Sequence, residues 1–459
     1  MSENRKALLE MNMGKLFMKL AIPGIIGMLA VGLYNMVDAI FVGQFVSGAG
    51  VGAITMAYNI VLINQAILTL FATGAMSLLS RALGEKDEET INKLFGNVII
   101  GVAIISGILT IIICLFATPI LQFLGAKDEI LVLGEKYIRI IALGFIFGGV
   151  GPALNMLIRG EGKMKAAMKI VFIGMIINII LDPIFIIVFG MGIEGAAIAT
   201  VISQIIYLIG DIVYFKSGKS VIKLTKKSIK ISMDVMPKML SVGFSGMLMQ
   251  VMSAIQLAIL LRLMSSYGGN NSIIVLSSAQ RIMMFAFIPM WGIGQGLQPI
   301  LGANYGAKQF ARVKEAFVSF TKIATWISGI LWLLFMLLPK FILGWFITDS
   351  ALVSEGVNSF RMYLCVFVLY GLMITSITLY QALGKAGKAA LIVMGRQILF
   401  FIPLSLILPL FMKETGVWLA LPIGDFLTIS LSIVFTIGEF TALNKQIKGY
   451  NNSFAKEGI

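Results

Sequence analysis

The sequence predicts an all-α integral membrane protein: twelve transmembrane helices in two six-helix lobes related by a pseudo-two-fold axis normal to the membrane. Three observations carry this. The chain of 459 residues is 58% hydrophobic and only 13% charged, about half the charge of a soluble domain. Its apolar residues form long unbroken runs rather than alternating segments of about ten, which excludes a β-barrel and leaves helices as the spanning elements. Short motifs of the first half also recur in the second.

A span needs about 20 mostly apolar residues. Twelve stretches qualify, near 15–43, 52–80, 94–118, 130–158, 167–189, 191–215, 235–264, 273–303, 315–343, 357–382, 389–412 and 416–440. Several exceed the minimum, so tilt or extension past the lipid is expected. The first is too long, and too polar near its end, for a secretory signal peptide. Of the 36 Lys and Arg residues, 27 fall at the N-terminus, the even-numbered loops and the C-terminus. Seven fall on the opposite side, and Arg281 and Arg396 lie inside spans. The positive-inside rule therefore places both termini in the cytoplasm. The net charge of +14 reads as topology, because no large soluble domain exists to bind nucleic acid.

The repeat is weak residue by residue but consistent in order. Leu83-Gly84 after span 2 matches Tyr305-Gly306 after span 8. Gly160-Glu161-Gly162-Lys163 after span 4 matches Gly384-Lys385-Ala386-Gly387-Lys388 after span 10, and Gly192-Ile193 matches Gly416-Val417. Six spans per half is an even number, so the halves share one orientation and form a parallel repeat. The expected organisation is an N-terminus at 1–14, an N-lobe at 15–215, a basic linker at 216–234, a C-lobe at 235–440 and a C-terminus at 441–459.

Composition also restricts the chemistry. There is no histidine and there are two cysteines. A His base, a His metal ligand and a disulfide framework are excluded, and Cys114 and Cys365, inside apolar spans, are expected only to pack. The stretch from Glu85 to Lys93 reads as a solvated loop. No GxxxxGK[ST] segment is present, which argues against ATP-driven transport by this chain.

Ionisable residues deep inside spans are functional candidates. Asp38 in span 1 and Asp182 in span 5 both sit roughly 8–11 Å below the outer surface at 1.5 Å per residue. Asn178 and Tyr34 each lie four residues before one of these acids and share its helix face. Thr200 in span 6 falls at a similar depth, while span 4 offers Tyr137 and Asn155 in its outer and inner parts. Oxygens of Asp38, Asn178, Asp182 and Thr200 suit a hard cation such as Na⁺. Two carboxylates in a poorly hydrated pocket can equally take up a proton. The plainer reading is that each polar group bonds a neighbouring helix. Pro23 and Pro183 each remove a helix hydrogen bond, and Pro23 is placed to bend span 1 below Asp38. The second half lacks these acids: Ala258 stands where Asp38 would recur. It offers Gln250, Gln256, Arg281, Met284 and Met290 as a candidate substrate cavity, since methionine suits adaptable surfaces. Arg396 and Asp425, in adjacent spans, are placed to pair.

These residues resemble a known family. Ala21-Ile22-Pro23 with Val37-Asp38-Ala39-Ile40-Phe41-Val42-Gly43 resembles the first helix of the multidrug and toxic compound extrusion (MATE) exporters. Asn178-Ile179-Ile180-Leu181-Asp182-Pro183-Ile184-Phe185 and Gly192 to Thr200 resemble the fifth and sixth helices. The stretch from Pro289-Met290-Trp291-Gly292 to Gly302-Ala303-Asn304-Tyr305-Gly306 resembles the eighth. The likeness covers about residues 12–445, and within the family it points to the DinF-like bacterial branch.

The resemblance implies alternating access around a central cavity and export of lipophilic, mostly cationic drugs against H⁺ or Na⁺, with no other cofactor. It implies a cation site at Asp38, Asn178, Asp182 and Thr200, neighbours at Tyr34, Tyr137 and Asn155, and a hinge at Pro23. Another branch places coupling carboxylates in helices 7 and 10, and this chain has none inside those two stretches. The expected setting is a monomer in a bacterial inner (plasma) membrane, with drugs and lipid as its partners and no enzymatic activity. The rival readings are a lipid-linked saccharide flippase, a membrane-embedded enzyme and a channel.

Overall fold

The computed structural model describes residues 3–45, 48–225 and 228–457; for residue 3, residues 34–40, residue 42 and residues 449–457 it describes the backbone only. Among the described residues there is no strand, and twelve helices are long and apolar enough to cross a membrane. The chain is a multi-pass membrane protein. The spans run Met13–Leu33, Gly48–Glu85, Glu88–Phe123, Asp128–Gly160, Met164–Val188, Gly192–Lys216, Met236–Tyr267, Gly269–Gly306, Phe310–Leu337, Ser350–Ala382, Ala386–Met412 and Glu414–Lys448. Each coincides with one of the twelve apolar stretches. Most are longer, because polar residues at both ends continue the helix beyond the apolar run. Spans 2 and 8 have 38 residues each, about 57 Å of helix against roughly 30 Å of hydrocarbon.

That extension removes the expected loop at Glu85 to Lys93. Span 2 runs to Glu85 and span 3 starts at Glu88, leaving a tight turn. Lys86 takes a left-handed φ of 64°, and Asp87 caps span 3 by accepting from the Thr90 N–H at 3.0 Å. The Thr90 hydroxyl adds a second bond, and together they hold the Asp87 carboxyl below its ordinary value. Arg5, on the short helix Glu3–Glu10, donates to the carbonyls of Leu83 and Gly84 at 2.9 Å each. It thereby satisfies the orphan acceptors at the end of span 2.

The basic segment after span 6 is strapped to span 3. Asn97 accepts from the Ser232 N–H at 2.7 Å and donates to the Ser232 carbonyl at 3.4 Å. Asn92 accepts from the Lys223 N–H at 2.8 Å, and Lys93 pairs with Asp234 at 2.9 Å.

The chain divides into two compact units, one of residues 1–6 and 26–247 and one of residues 7–25 and 248–459. Their boundaries cut through spans 1 and 7. Glycines explain why these helix halves pack where they do. A Cβ on Gly243 would lie 1.6 Å from the Leu70 carbonyl oxygen, so span 7 touches span 2 backbone to backbone. A Cβ on Gly292 would lie 2.6 Å from the Ile25 backbone, so span 8 touches span 1 in the same way.

Among the described residues five spans lose regular α geometry, span 3 through a kink at Phe116. Span 1 has a π-helical turn at Phe17–Ala21 just before Pro23, and span 5 has one at Ile184–Val188 just after Pro183. Span 11 has one at Gly395–Leu399, and span 10 tightens to 3₁₀ at Phe367–Leu369. Turns of this kind inside long helices recur at functional sites.

Candidate functional site

In the first unit, Asp182 is sealed from solvent and Asn178 is 1% exposed. One helical turn separates them, and the Asn178 amide donates to Asp182 Oδ1 at 3.4 Å. The helix Ile22–Phe45, which continues span 1, meets spans 2, 5 and 6 beside them: Phe41 and Ile54 pack on the buried pair Ile186 and Ala196. Phe41 lies three residues after Asp38, Ile186 four after Asp182, and Ala196 four before Thr200. Helix register thus brings the turns carrying all three into one layer. The Thr200 hydroxyl donates to the Ala196 carbonyl at 3.0 Å. The side chains of Asp38 and Tyr34 lie outside the described residues. Pro23 stands two residues after the π-helical turn of span 1 and within three residues of the point where the two units divide.

Of the two expected neighbours of this site, Tyr137 packs in a cluster with Ala57, Ile60, Ile138 and Ala197 that shares Ile54 with this layer, whereas Asn155 lies elsewhere. Asn155 is fully buried on the opposite level. Its amide donates to the Ala167 carbonyl at 3.1 Å and to Asp211 at 3.0 Å, and its oxygen accepts from Arg159 at 3.0 Å. Ala167 precedes Asp182 by fifteen residues, about 22 Å of helix. Asn155 therefore serves a second polar cluster near the linker end of the unit. Its Asp211 is fully buried, with Oδ2 unpartnered.

Glu161 closes the linker end. It is sealed and accepts from the Tyr214 hydroxyl at 2.9 Å and from the Ser220 hydroxyl. Burial pushes its carboxyl up to about 7, opposed by those two hydroxyls, the Val221 backbone and Lys163. The second unit has a counterpart in Glu439, 1% exposed and bound by both Lys385 and Lys388, the latter at 3.3 Å.

Arg396 and Asp425 do pair, at 2.8 Å through Nε. Tyr370 completes a triad by donating its hydroxyl to the other Asp425 oxygen. Gln397 donates to Ser253 at 2.6 Å and to the Met249 carbonyl at 3.3 Å. The proposed cavity set is dispersed: Met290 is fully sealed in the core and cannot line a cavity, and Gln256 is 9% exposed with its amide nitrogen unpartnered. Gln250 is half-buried, while Arg281 and Met284 are exposed. No acid lies in span 7. Span 10 begins at Ser350 and so also carries Glu355, exposed near its first turns.

The MatE family model matches residues 23–184 and 242–407, once in each half. The chain belongs to the MATE family. Relatives agree in name and extent. It is 26% identical over 418 residues to the multidrug export protein MepA of Staphylococcus aureus, covering 90% of this chain and 91% of that one. MepA of Staphylococcus saprophyticus is 24% identical over 409 residues, covering 89% and 90%. Among solved structures, a MATE transporter in complex with MaD3S superposes with a TM-score of 0.88 at 25% identity, covering 97% of this chain and 99% of that one. A transporter of the MOP superfamily from Pyrococcus furiosus superposes with a TM-score of 0.87 at 25% identity, covering 96% and 99%. MATE proteins are transporters coupled to ion gradients and not enzymes.

Sequence reasoning missed Asp211, Glu161 and Glu439. Each stands near the end of an apolar stretch, where hydropathy reads an acid as solvated. Tyr370 was missed too, since an apolar span gives no sign that its hydroxyl meets an acid.

Proposed function

We propose that this MATE protein is a secondary active multidrug exporter of the DinF-like branch, antiporting lipophilic, mostly cationic drugs against H⁺ or Na⁺. The carrying observation is Asp182: a carboxylate sealed among apolar helices, with a neutral amide from its own helix as donor. A buried charge is costly unless a cation, a proton or hydrogen bonds compensate it. Asp182 and Asn178, with Asp38 and Thr200 in the same layer, supply only oxygen ligands for a hard ion, and the same acids accept a proton. Neutralising them favours one conformation, drug favours the other, and the two are linked through that equilibrium. Pro23 and the π-helical turn before it are the flexible point of span 1. The carrier works as a monomer in a bacterial inner membrane with both termini cytoplasmic.

The test is drug efflux from proteoliposomes under a Na⁺ gradient alone and then a pH gradient alone. One gradient should drive export, and Asp182→Asn should reduce it on the order of 100-fold. Gradient-driven export that survives in Asp182→Asn would overturn the coupling role.

A further inference from the structure

We propose that a cleft on the exposed face of spans 9 and 10 holds one anionic phospholipid, with its phosphate on Lys322 and an acyl chain laid along span 9 toward Leu333.

The exposed face of span 9 is apolar beyond one cation. Lys322 is exposed, and no ionisable residue follows it up to the end of the helix at Leu337. That remainder measures about 22 Å, most of the roughly 30 Å of hydrocarbon. Lys322 therefore stands at one edge of the apolar band, on the side of Arg312 and Lys314, and its stem carries the ammonium to headgroup level. Among the described residues no acid pairs with it. Glu315, about two turns away on the same span, lies beside Arg312 at 4.0 Å.

The cleft that starts at Lys322 is preformed. It holds about 530 Å³ and passes Thr325, Trp326 and Gly329 on its way to Leu333, with Val368 of span 10 beside it. From Lys322 to Leu333 is about 16 Å of helix, one leaflet's share of the hydrocarbon. Gly329 keeps the cleft open: a Cβ there would meet only the Val368 side chain, at 3.7 Å. The two spans are pinned together where span 10 tightens to its 3₁₀ turn. Ser328 donates to the Val368 carbonyl at 2.7 Å, and the Trp332 ring N–H donates to the Cys365 carbonyl at 2.8 Å. A groove fixed in advance spares its ligand the cost of ordering it.

The polar end selects the headgroup. Lys322 and Thr325 both line the cleft one turn apart, and an ammonium with a hydroxyl suits phosphate oxygens. Among the described residues no acid lines the cleft, so the ammonium of a zwitterionic headgroup finds no partner there. Basic positions between helices on the cytoplasmic side take anionic headgroups in this way.

The test places the full-length protein in phosphatidylcholine vesicles and titrates in phosphatidylglycerol or phosphatidylcholine brominated on the acyl chain. Bromine quenches a tryptophan that it touches. Trp326, 74% exposed at the cleft, is the reporter, and its share of the emission is the difference from Trp326→Phe. Phosphatidylglycerol should bind about fivefold more tightly than phosphatidylcholine, and inorganic phosphate should not displace it. Lys322→Gln should abolish the preference and Lys322→Arg should keep it. Gly329→Leu retains the charge but fills the groove, and should weaken phosphatidylglycerol by a similar factor. Equal quenching by the two lipids in the wild type, or a preference that survives in Lys322→Gln, overturns the site. Binding untouched by Gly329→Leu reduces Lys322 to a cation at the membrane surface, and displacement by inorganic phosphate makes it a free-anion site; either result overturns the proposal as well.

Discussion

Two buried acids of each unit are compensated with different chemistry: Glu161 and Asp182 in the first, Glu439 and Asp425 in the second. Glu161 of the first unit takes hydroxyl donors from Tyr214 and Ser220, while Glu439 of the second takes ammonium groups from Lys385 and Lys388. Inside the helices, Asp182 takes an amide from Asn178, while Asp425 takes a guanidinium from Arg396. A hydroxyl or amide leaves the acid's charge standing, so protonation or a cation from solution still changes the energy of the fold. A fixed side-chain cation cancels it. The fixed pairs of the second unit therefore hold the charges of Glu439 and Asp425 in place.

Substitutions can break or sharpen this contrast. The largest effect is expected for Arg396→Gln, which strands Asp425 in a sealed site and should cost about 3–5 kcal/mol of stability. Adding Asp425→Asn should restore most of it in thermal unfolding, and no restoration would mean that Asp425 is compensated elsewhere. Next comes the response of Glu161 to pH. Its carboxyl is raised from 4.5 to about 7 in the fold, so the folded state binds the proton more tightly than the unfolded state. Stability from this group is full below about 4.5 and is lost as pH rises to 7, by ~3 kcal/mol for a buried acid. Hydrogen exchange in residues 217–225 should quicken over that range and stay flat in Glu161→Gln. Glu439→Gln should cost about 1–3 kcal/mol, read by thermal unfolding at low and high salt. A cost as pH-dependent as that of Glu161 would erase the contrast. The smallest effect, ~1 kcal/mol, is expected for Asp87→Ala, which loses the cap of span 3 without touching either pair.

Much of the fold was legible because hydropathy is a property of long windows. Twelve runs of apolar residues produced twelve spans, and the pairing of Arg396 with Asp425 followed from two opposite charges isolated in adjacent spans. Single levels within a helix were harder. The resemblance implies Asn155 beside Asp182, yet Ala167 and Asp211 hold it about 22 Å away along the helix. Methionine chemistry suits Met290 to a substrate cavity, but close packing of span 8 seals it. Glu161 was invisible as a buried acid because the segment that covers it arrives some sixty residues later, and hydropathy carries no information about which loop folds back on which helix end. The exchange of helix halves was equally hidden, since it depends on glycines whose significance lies in the backbone opposite them.

That exchange has a consequence for how the protein is made. Residues 7–25 pack within the unit that contains span 8, so this early stretch waits for a partner translated after the midpoint. The second stretch so placed, at the start of span 7, finds span 2 already synthesised. Biogenesis is thus asymmetric in time although the architecture repeats in space, and severing the chain between its halves would deprive each fragment of a helix end carried by the other.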